Sequence, residues 1–190
     1  YTVELDDGTL IECRVRGKLR IKGIRTTNPV AVGDYVKIDG EEGAFTIVDI
    51  DKRKNYIIRR SVNLSNQSHI IASNIDLAVI LITLKNPTTY PTFIDRFCVA
   101  AEAYHIPVAV VISKADLLDE EELKVASDFL RVYAELGYDT LITSAENGKG
   151  LEEFKNLLSN KTVLLSGHSG VGKSRLVNEI DPDLDVKVGD

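Results

Sequence analysis

Near the end of this 190-residue chain lies the stretch Thr162-Val163-Leu164-Leu165-Ser166-Gly167-His168-Ser169-Gly170-Val171-Gly172-Lys173-Ser174. Its apolar start runs into a glycine-rich turn that matches the phosphate-loop pattern G-x-x-x-x-G-K-[ST] without exception. The glycines let backbone N–H groups turn inward around phosphate oxygens. Lys173 adds a positive charge toward the β- and γ-phosphates, and the Ser174 hydroxyl can ligate Mg²⁺. The stretch therefore predicts a strand, a phosphate-binding loop and the start of a helix.

Working outward, residues 66–190 alternate strands and helices. Ile75–Thr83 and Pro107–Ile112 are nearly continuous apolar runs, as in strands buried on both faces. Helical spacing of apolar residues covers 93–105, 119–136, 151–158 and 173–180, and short strands are predicted at 140–143 and 162–166. This alternation predicts a parallel sheet with helices on both faces, whose ligands bind beyond the carboxyl ends of the strands.

Two further motifs follow predicted strands. Ser113-Lys114-Ala115-Asp116 comes after 108–112, where GTP-binding proteins read guanine with N-K-x-D. A carboxylate there accepts from the ring N1–H and the exocyclic amine, a pair of donors that adenine does not present. Ser144-Ala145 follows the next strand, where a backbone N–H of guanine pockets meets the base oxygen. Taken alone, the first motif is more often the capped start of a helix. Both motifs precede the phosphate loop, which predicts a circularly permuted nucleotide domain.

The first 65 residues show a different pattern, with short apolar segments separated by turn residues. Turn signals at Asp6-Asp7-Gly8, Asn28-Pro29, Val32-Gly33-Asp34 and Asp39-Gly40 separate short strand candidates. They predict a small β-barrel of the oligonucleotide-binding (OB) type, joined to the nucleotide domain through a polar loop at residues 61–68. The predicted domains are therefore 1–65, an OB barrel, and 66–190, an incomplete, circularly permuted α/β P-loop domain.

A basic stripe lies in the first domain. Six basic residues and no acid occur between positions 14 and 25: Arg14, Arg16, Lys18, Arg20, Lys22 and Arg25. The first five occupy every second position, so an extended strand places them on one face. A nucleic-acid backbone would neutralise such a face by counterion release. The alternative is a solvated face whose cations pair with Glu4, Asp6 or Glu12.

Charge and composition further narrow the classes of protein to which this chain can belong. Residues 1–65 carry 12 basic and 10 acidic side chains, whereas 66–190 carry 11 and 19, which suggests two modules with different partners. Cys13 and Cys98 are too few for a disulfide scaffold or a protein-only zinc site. No apolar run is long enough to span a bilayer, and the small number of cysteines fits a reducing, cytoplasmic setting. A monomer without membrane contact is expected. The absence of methionine predicts a fragment of a longer chain.

These residues together resemble a known family, and the resemblance covers essentially the whole chain. The segment Gly23 to Asp34, the segment from Arg59-Arg60-Ser61 through Gln67-Ser68-His69-Ile70, and the permuted phosphate loop are similar to those of the RsgA (YjeQ) family of ribosome small subunit-dependent GTPases. Members have an OB barrel, a permuted GTPase and a C-terminal zinc-binding domain. They assist late maturation of the small (30S) ribosomal subunit, which stimulates their GTP hydrolysis.

The resemblance implies GTP or GDP with Mg²⁺ as ligands, and zinc only in a C-terminal domain outside this chain. It places the basic stripe against ribosomal RNA and implies that Ser174 ligates Mg²⁺. The implied nucleotide contacts are Ser113, Lys114, Ala115, Asp116, Ser144, Ala145, Gly167, His168, Ser169, Gly170, Val171, Gly172, Lys173, Ser174 and Arg175.

Two departures from the family pattern lead to further expectations. Ser113 replaces an asparagine whose amide ties the base-reading loop, which predicts lower affinity or guanine selectivity. No D-x-x-G occurs in the sequence, so the catalytic residue is unassigned. We expect the 190-residue chain to bind nucleotide weakly and to turn over poorly, while the parent protein is a GTPase.

A competition experiment separates three hypotheses. We expect GTP, but not ATP, to displace fluorescent GDP from this chain in the presence of Mg²⁺. Equal displacement by both nucleotides would instead favour an ATP-using P-loop protein in which Asp116 does not read a base. An RNA-binding barrel with a degenerate nucleotide domain would show no response to nucleotide. In that case, charge reversal at Arg16, Lys18 and Arg20 would still abolish RNA affinity.

Overall fold

The computed structural model describes residues 1–17, 29–41, 43–60, 68–184 and 186–187. They fall into two units, Tyr1–Asn74 and Ile75–Asp190. The sequence-based boundary after residue 65 lies nine residues earlier, between two strands that pair with each other. Because this pairing continues to Ser73, the second strand belongs to the first unit.

In its described residues, the first unit consists of short strands in three small sheets. Its strands are β1 (Thr2–Glu4), β2 (Leu10–Glu12), β3 (Arg14–Val15), β4 (Val36–Asp39), β5 (Thr46–Ile50), β6 (Tyr56–Arg60) and β7 (Ser68–Ser73). β1 and β2 form the hairpin predicted around Asp6-Asp7-Gly8. β5 lies between β3 and β4, and β6 pairs antiparallel with β7. Cys13, Val30 and Ile47 form the buried centre of this unit.

A buried ion pair fastens the turn at Asp34 to its surroundings. The Asp34 side chain is fully buried and Arg53 is 7% exposed. Arg53 donates to both Asp34 oxygens at 2.5 and 2.6 Å, and the Ser73 hydroxyl donates at 2.5 Å. The Ala31 N–H completes the set at 2.8 Å. Burial alone would raise the pKa of Asp34, but these hydrogen bonds outweigh it and hold the pKa below its ordinary value.

The second unit has a four-stranded, all-parallel sheet in the order β10-β9-β8-β11. Its elements in chain order are β8 (Leu77–Ile82), α1 (Pro91–Ala103), β9 (Val108–Ile112), α2 (Glu120–Glu135), β10 (Asp139–Ile142), α3 (Leu151–Leu158), β11 (Val163–Ser166) and α4 (Lys173–Ile180). β8 and β9 are buried at every position, as their unbroken apolar runs predicted.

Helices cover both faces of this sheet. Phe154 of α3 and Leu176 of α4 pack with alternate residues of β8 and β9 on one face. α1 contacts β8 and β9, and α2 contacts β9 and β10. Burial raises the pKa of the Cys98 thiol on α1 to about 11, so this thiol stays protonated and unreactive at neutral pH.

Among the described residues, no helix combines the length and apolarity needed to cross a membrane.

The Asp34 network makes a testable prediction about stability. Asp34→Asn removes one charge of a buried pair and leaves Arg53 uncompensated, so we expect the first unit to lose about 3 kcal/mol at pH 7. Because the folded-state pKa is lowered, the stabilisation is present above the unfolded pKa of about 3.9 and is lost as pH falls through the folded value. Calorimetric unfolding between pH 7 and pH 3 measures both effects.

The exposed carboxylate of Asp49, which pairs with Lys37 at 3.3 Å, provides the matched control. Asp49→Asn should change the free energy of unfolding by less than about 1 kcal/mol. An Asp34→Asn variant as stable as the unmodified chain at pH 7 would contradict the assigned role of the network.

Candidate nucleotide site

All three sequence motifs lie at the carboxyl edge of the parallel sheet. Ser113 follows β9, Ser144 comes two residues after β10, and Gly167 follows β11. These three strands run in the same direction in the sheet of order β10-β9-β8-β11, so their loops share one edge although the motifs are far apart in sequence. The permuted order therefore leaves the meeting of the three loops intact.

The phosphate loop lies very close to the central strand. Gly167 has a φ of +148°, and a Cβ there would lie 2.4 Å from the Leu81 carbonyl oxygen. Gly170 and Gly172 also have positive φ values. The Lys173 ammonium donates to the carbonyls of Gly167 and His168 at 2.9 and 2.8 Å, so its charge lies over the loop. These features suit a loop that surrounds an anion with backbone N–H groups at a helix start.

An aromatic contact supports the outer part of the same loop. The His168 imidazole stacks on the Phe93 ring of α1, with centroids 3.9 Å apart and an interplanar angle of 28°. The apolar spacing predicted a helix over 93–105, and the family resemblance implied that His168 contacts the nucleotide, but neither pattern paired His168 with Phe93. Only the structure, in which the first turn of α1 approaches the loop, shows this pair.

Ser113 ties the base-reading loop to the phosphate loop. Its side chain is buried, and the hydroxyl lies 2.6 Å from the Val171 carbonyl oxygen and 3.2 Å from that of Ile82. Serine lacks the amide that ties this loop in the family pattern, but its short side chain lies close enough to Val171 for its hydroxyl to donate directly. The lower affinity or guanine selectivity expected from the sequence stays a prediction.

The carboxylate of Asp116 is oriented by the third loop. The buried Ser144 hydroxyl donates to one Asp116 oxygen at 2.5 Å. The N–H groups of Glu146 and Asn147 approach the same Ser144 oxygen at 3.2 and 3.4 Å. Asp116 itself is exposed, so its second oxygen is available to donors of a ligand.

Lys114 lies across the phosphate loop. Its backbone is left-handed, with φ 56° and ψ 38°. The aliphatic part of its side chain passes 3.8 Å from where a Cβ on Gly172 would lie, and the ammonium donates to the Asn86 carbonyl at 2.8 Å. The stem of Lys114 therefore forms one wall next to Asp116.

A cavity of about 230 Å³ lies where these loops meet. Its lining includes Ser113, Lys114, Asp116, Ala145, Val171 and Gly172, all of which the sequence had singled out. It also includes Leu117, Glu146, Arg175 and Leu176. Arg175 was among the predicted contacts, whereas the sequence motifs did not include the other three. Their positions directly beside the motifs were the available signal.

The remaining predicted residues occupy different places. Ala115 is buried and its N–H donates to the Thr143 carbonyl at 3.0 Å, so its backbone joins this loop to the end of β10. Ser174 is the second residue of α4, and Ser169 is exposed in the phosphate loop. In the first unit, Arg14 and Arg16 are exposed on and just after β3. The other basic-stripe residues, Lys18, Arg20, Lys22 and Arg25, lie outside the described residues.

Fold and site together define a circularly permuted P-loop GTPase domain preceded by a small β unit. The family model of the RsgA GTPase matches residues 50–190, and that of the RsgA N-terminal domain matches residues 1–47. The chain belongs to the RsgA GTPase family.

Individual relatives agree with this assignment. A small ribosomal subunit biogenesis GTPase RsgA from Bacteroides fragilis is 48% identical over 191 residues, and one from Christiangramia forsetii is 50% identical over 194. Each alignment covers all of this chain and 62% of the relative. The chain thus spans less than two thirds of the length of these curated relatives.

Solved structures show the same architecture. The crystal structure of YjeQ from Thermotoga maritima has a TM-score of 0.79 and 34% identity, over 99% of this chain and 63% of that one. YloQ, described as a circularly permuted GTPase, has a TM-score of 0.69 and 30% identity, over 94% of this chain and 58% of that one. The fold class predicted from the motif order is confirmed.

Removing the Ser113 hydroxyl tests its role in the site. Ser113→Ala leaves the Val171 carbonyl without this donor, which costs about 1–3 kcal/mol when the acceptor is buried. We expect affinity for GDP to fall about tenfold, because the two loops are no longer joined, and Ser113→Asn to recover part of the loss through its amide. Isothermal titration calorimetry measures both variants.

Ser127→Ala provides a matched control, since the Ser127 hydroxyl donates to the Leu123 carbonyl at 2.9 Å on exposed α2. It should bind GDP like the unmodified protein. Unchanged affinity in Ser113→Ala would show that the hydrogen bond does not position the site.

Proposed function

We propose that this chain is the nucleotide-binding part of a GTP-hydrolysing factor that assists late maturation of the small ribosomal subunit. The observation that carries the proposal is the convergence of the Asp116 carboxylate and the phosphate loop on one cavity. The relatives named as small ribosomal subunit biogenesis GTPases support it.

Guanine recognition follows from the chemistry of Asp116. The Ser144 hydroxyl occupies one carboxylate oxygen and orients the group. The N1–H and 2-amino groups of guanine donate to a carboxylate, whereas adenine presents an unprotonated N1 and a C–H at the corresponding positions. Adenine therefore offers the other carboxylate oxygen no donor, which a site built for hydrogen bonding penalises strongly. Ala145 lines the same cavity, where its N–H suits the base oxygen.

The glycine loop and the start of α4 form the part of the site that we assign to the phosphates. The glycine loop leaves no room for a Cβ at Gly167, and α4 begins at Lys173. Lys173, now bonded to loop carbonyls, is placed to reach the β- and γ-phosphates of a nucleotide.

The residues present also fit Mg²⁺ as a companion of the nucleotide. The Ser174 hydroxyl, one residue after Lys173, is a hard oxygen ligand beside the loop, and Mg²⁺ commonly takes its other ligands from phosphates and water. When bound, the ion neutralises charge on the β- and γ-phosphates. Zinc stays an expectation for a C-terminal domain outside this chain.

We further propose that the first unit contacts ribosomal RNA through the basic stripe. Arg14 is exposed on β3 while the neighbouring Val15 is half-buried toward the core, so side chains alternate as predicted in the described part of the stripe. Backbone phosphates would neutralise these cations. A cytoplasmic monomer without membrane contact is consistent with this role.

Substitution at Asp116 tests guanine recognition directly. Asp116→Asn keeps an acceptor for the base N1–H but replaces the second acceptor with an N–H donor. We expect affinity for GDP to fall at least about tenfold and affinity for xanthosine diphosphate, which has an oxygen at position 2, to rise. Competition against fluorescent nucleotides in the whole protein measures both.

Asp128→Asn removes an exposed carboxylate on α2 that pairs with Arg131 at 3.4 Å, and serves as the control for charge. It should leave both affinities unchanged. An Asp116→Asn protein that still prefers GDP would refute base reading by this residue.

A further inference from the structure

An ion pair joins two walls of the cavity. The Arg175 guanidinium contacts the Glu146 carboxylate, and both residues line the cavity. Their side chains are 53% and 57% exposed. Since each contributes to the cavity and each is more than half exposed to solvent, the contact lies at the solvent-facing rim.

The pair connects the two halves of the proposed site. Glu146 follows Ser144-Ala145, and its N–H approaches the Ser144 oxygen that orients Asp116. Arg175 is the third residue of α4, two positions after Lys173. A single contact thus links the base-reading side to the helix that begins at the phosphate loop.

Local charge explains why this pair forms. The first turn of α4 contains Lys173 and Arg175 and no acidic residue. Basic groups there oppose the positive end of the helix dipole, so a carboxylate from outside the helix is favoured. Glu146 supplies it. As both partners are largely exposed, salt screens their attraction strongly.

The cavity that they line is the nucleoside end of the proposed site. Asp116 and Ala145, which we assign to the base, line the cavity, whereas its phosphate-loop lining begins at Val171. A nucleoside leaving this cavity passes its solvent-facing rim, where Glu146 and Arg175 meet.

We propose that the Glu146–Arg175 pair is a salt-sensitive clamp that slows release of the bound guanine nucleotide. This inference rests on the proposed function, because it takes the cavity as the nucleoside site. Glu146 and Arg175 act as positioning residues. They set how long the nucleotide stays without selecting the base.

The experiment measures release of fluorescent GDP from the whole protein by stopped flow, with excess unlabelled GDP and Mg²⁺. At 50 mM NaCl we expect Glu146→Gln and Arg175→Gln each to release GDP about two- to five-fold faster than the unmodified protein. The double variant should be no faster than the single variants, because both remove the same contact. At 0.5 M NaCl the differences should largely disappear.

Two comparisons separate clamping from a general loss of structure. Glu135→Gln breaks an exposed ion pair with Arg131 on α2 and should not change release. Release of inosine diphosphate, which lacks the 2-amino group, should accelerate by the same factor as release of GDP in the clamp variants. A merely stabilising pair would lower the unfolding temperature without this salt-dependent change in release.

The outcomes also separate this inference from the proposed function. Unchanged release in Glu146→Gln and Arg175→Gln at low salt would overturn the clamp. Slower release in Glu146→Gln would overturn it too, since Arg175 would then hold the nucleotide better alone. If Asp116→Asn keeps its preference for GDP in the same assay, or if GDP does not bind, the proposed function fails and the clamp with it.

Discussion

The nucleotide site depends on how closely the phosphate loop approaches strand β8. With only 2.4 Å between the Leu81 carbonyl and the position of a Cβ on Gly167, any side chain there would displace the loop. The same approach buries Val171 completely and brings its carbonyl to the Ser113 hydroxyl. The contacts therefore follow one another. Strand β8 touches the phosphate loop, the phosphate loop bonds to Ser113 of the base-reading segment, and Asp116 of that segment bonds to Ser144. Each step is a short-range contact that tolerates little displacement.

Such a site requires adjacency of strands and not a particular order along the chain. β8 pairs with β9 on one side and β11 on the other, all in the same direction, so their carboxyl ends share one edge. Moving the phosphate loop from the beginning of the domain to its end alters only the connections. The known relatives of similar fold show that this arrangement is shared by a family.

Much of the second unit could be predicted because its signals are local and repetitive. Apolar runs identified the buried strands, and glycines with fixed spacing identified the phosphate loop. The contacts that join loops could not be predicted in this way. The Ser113 hydrogen bond, the His168–Phe93 stack and the Glu146–Arg175 pair depend on how loops distant in sequence meet. In the first unit, β7 was missed because it is defined by its pairing with β6, across an intervening polar stretch that the sequence assigned to a loop between domains.

The pairing of β11 with β8 has a consequence for how the protein is made. Asp76 and Thr162, which adjoin these strands and are joined by a hydrogen bond, are 86 residues apart in sequence. During synthesis, the base-reading loops emerge well before the strand that carries the phosphate loop. Until β11 is added, one edge of β8 lacks the neighbour that it has in the finished sheet, and closing so long a connection is slow. The proposed nucleotide binding would therefore be among the last properties that the growing domain acquires, because the phosphate loop follows the strand that completes the sheet.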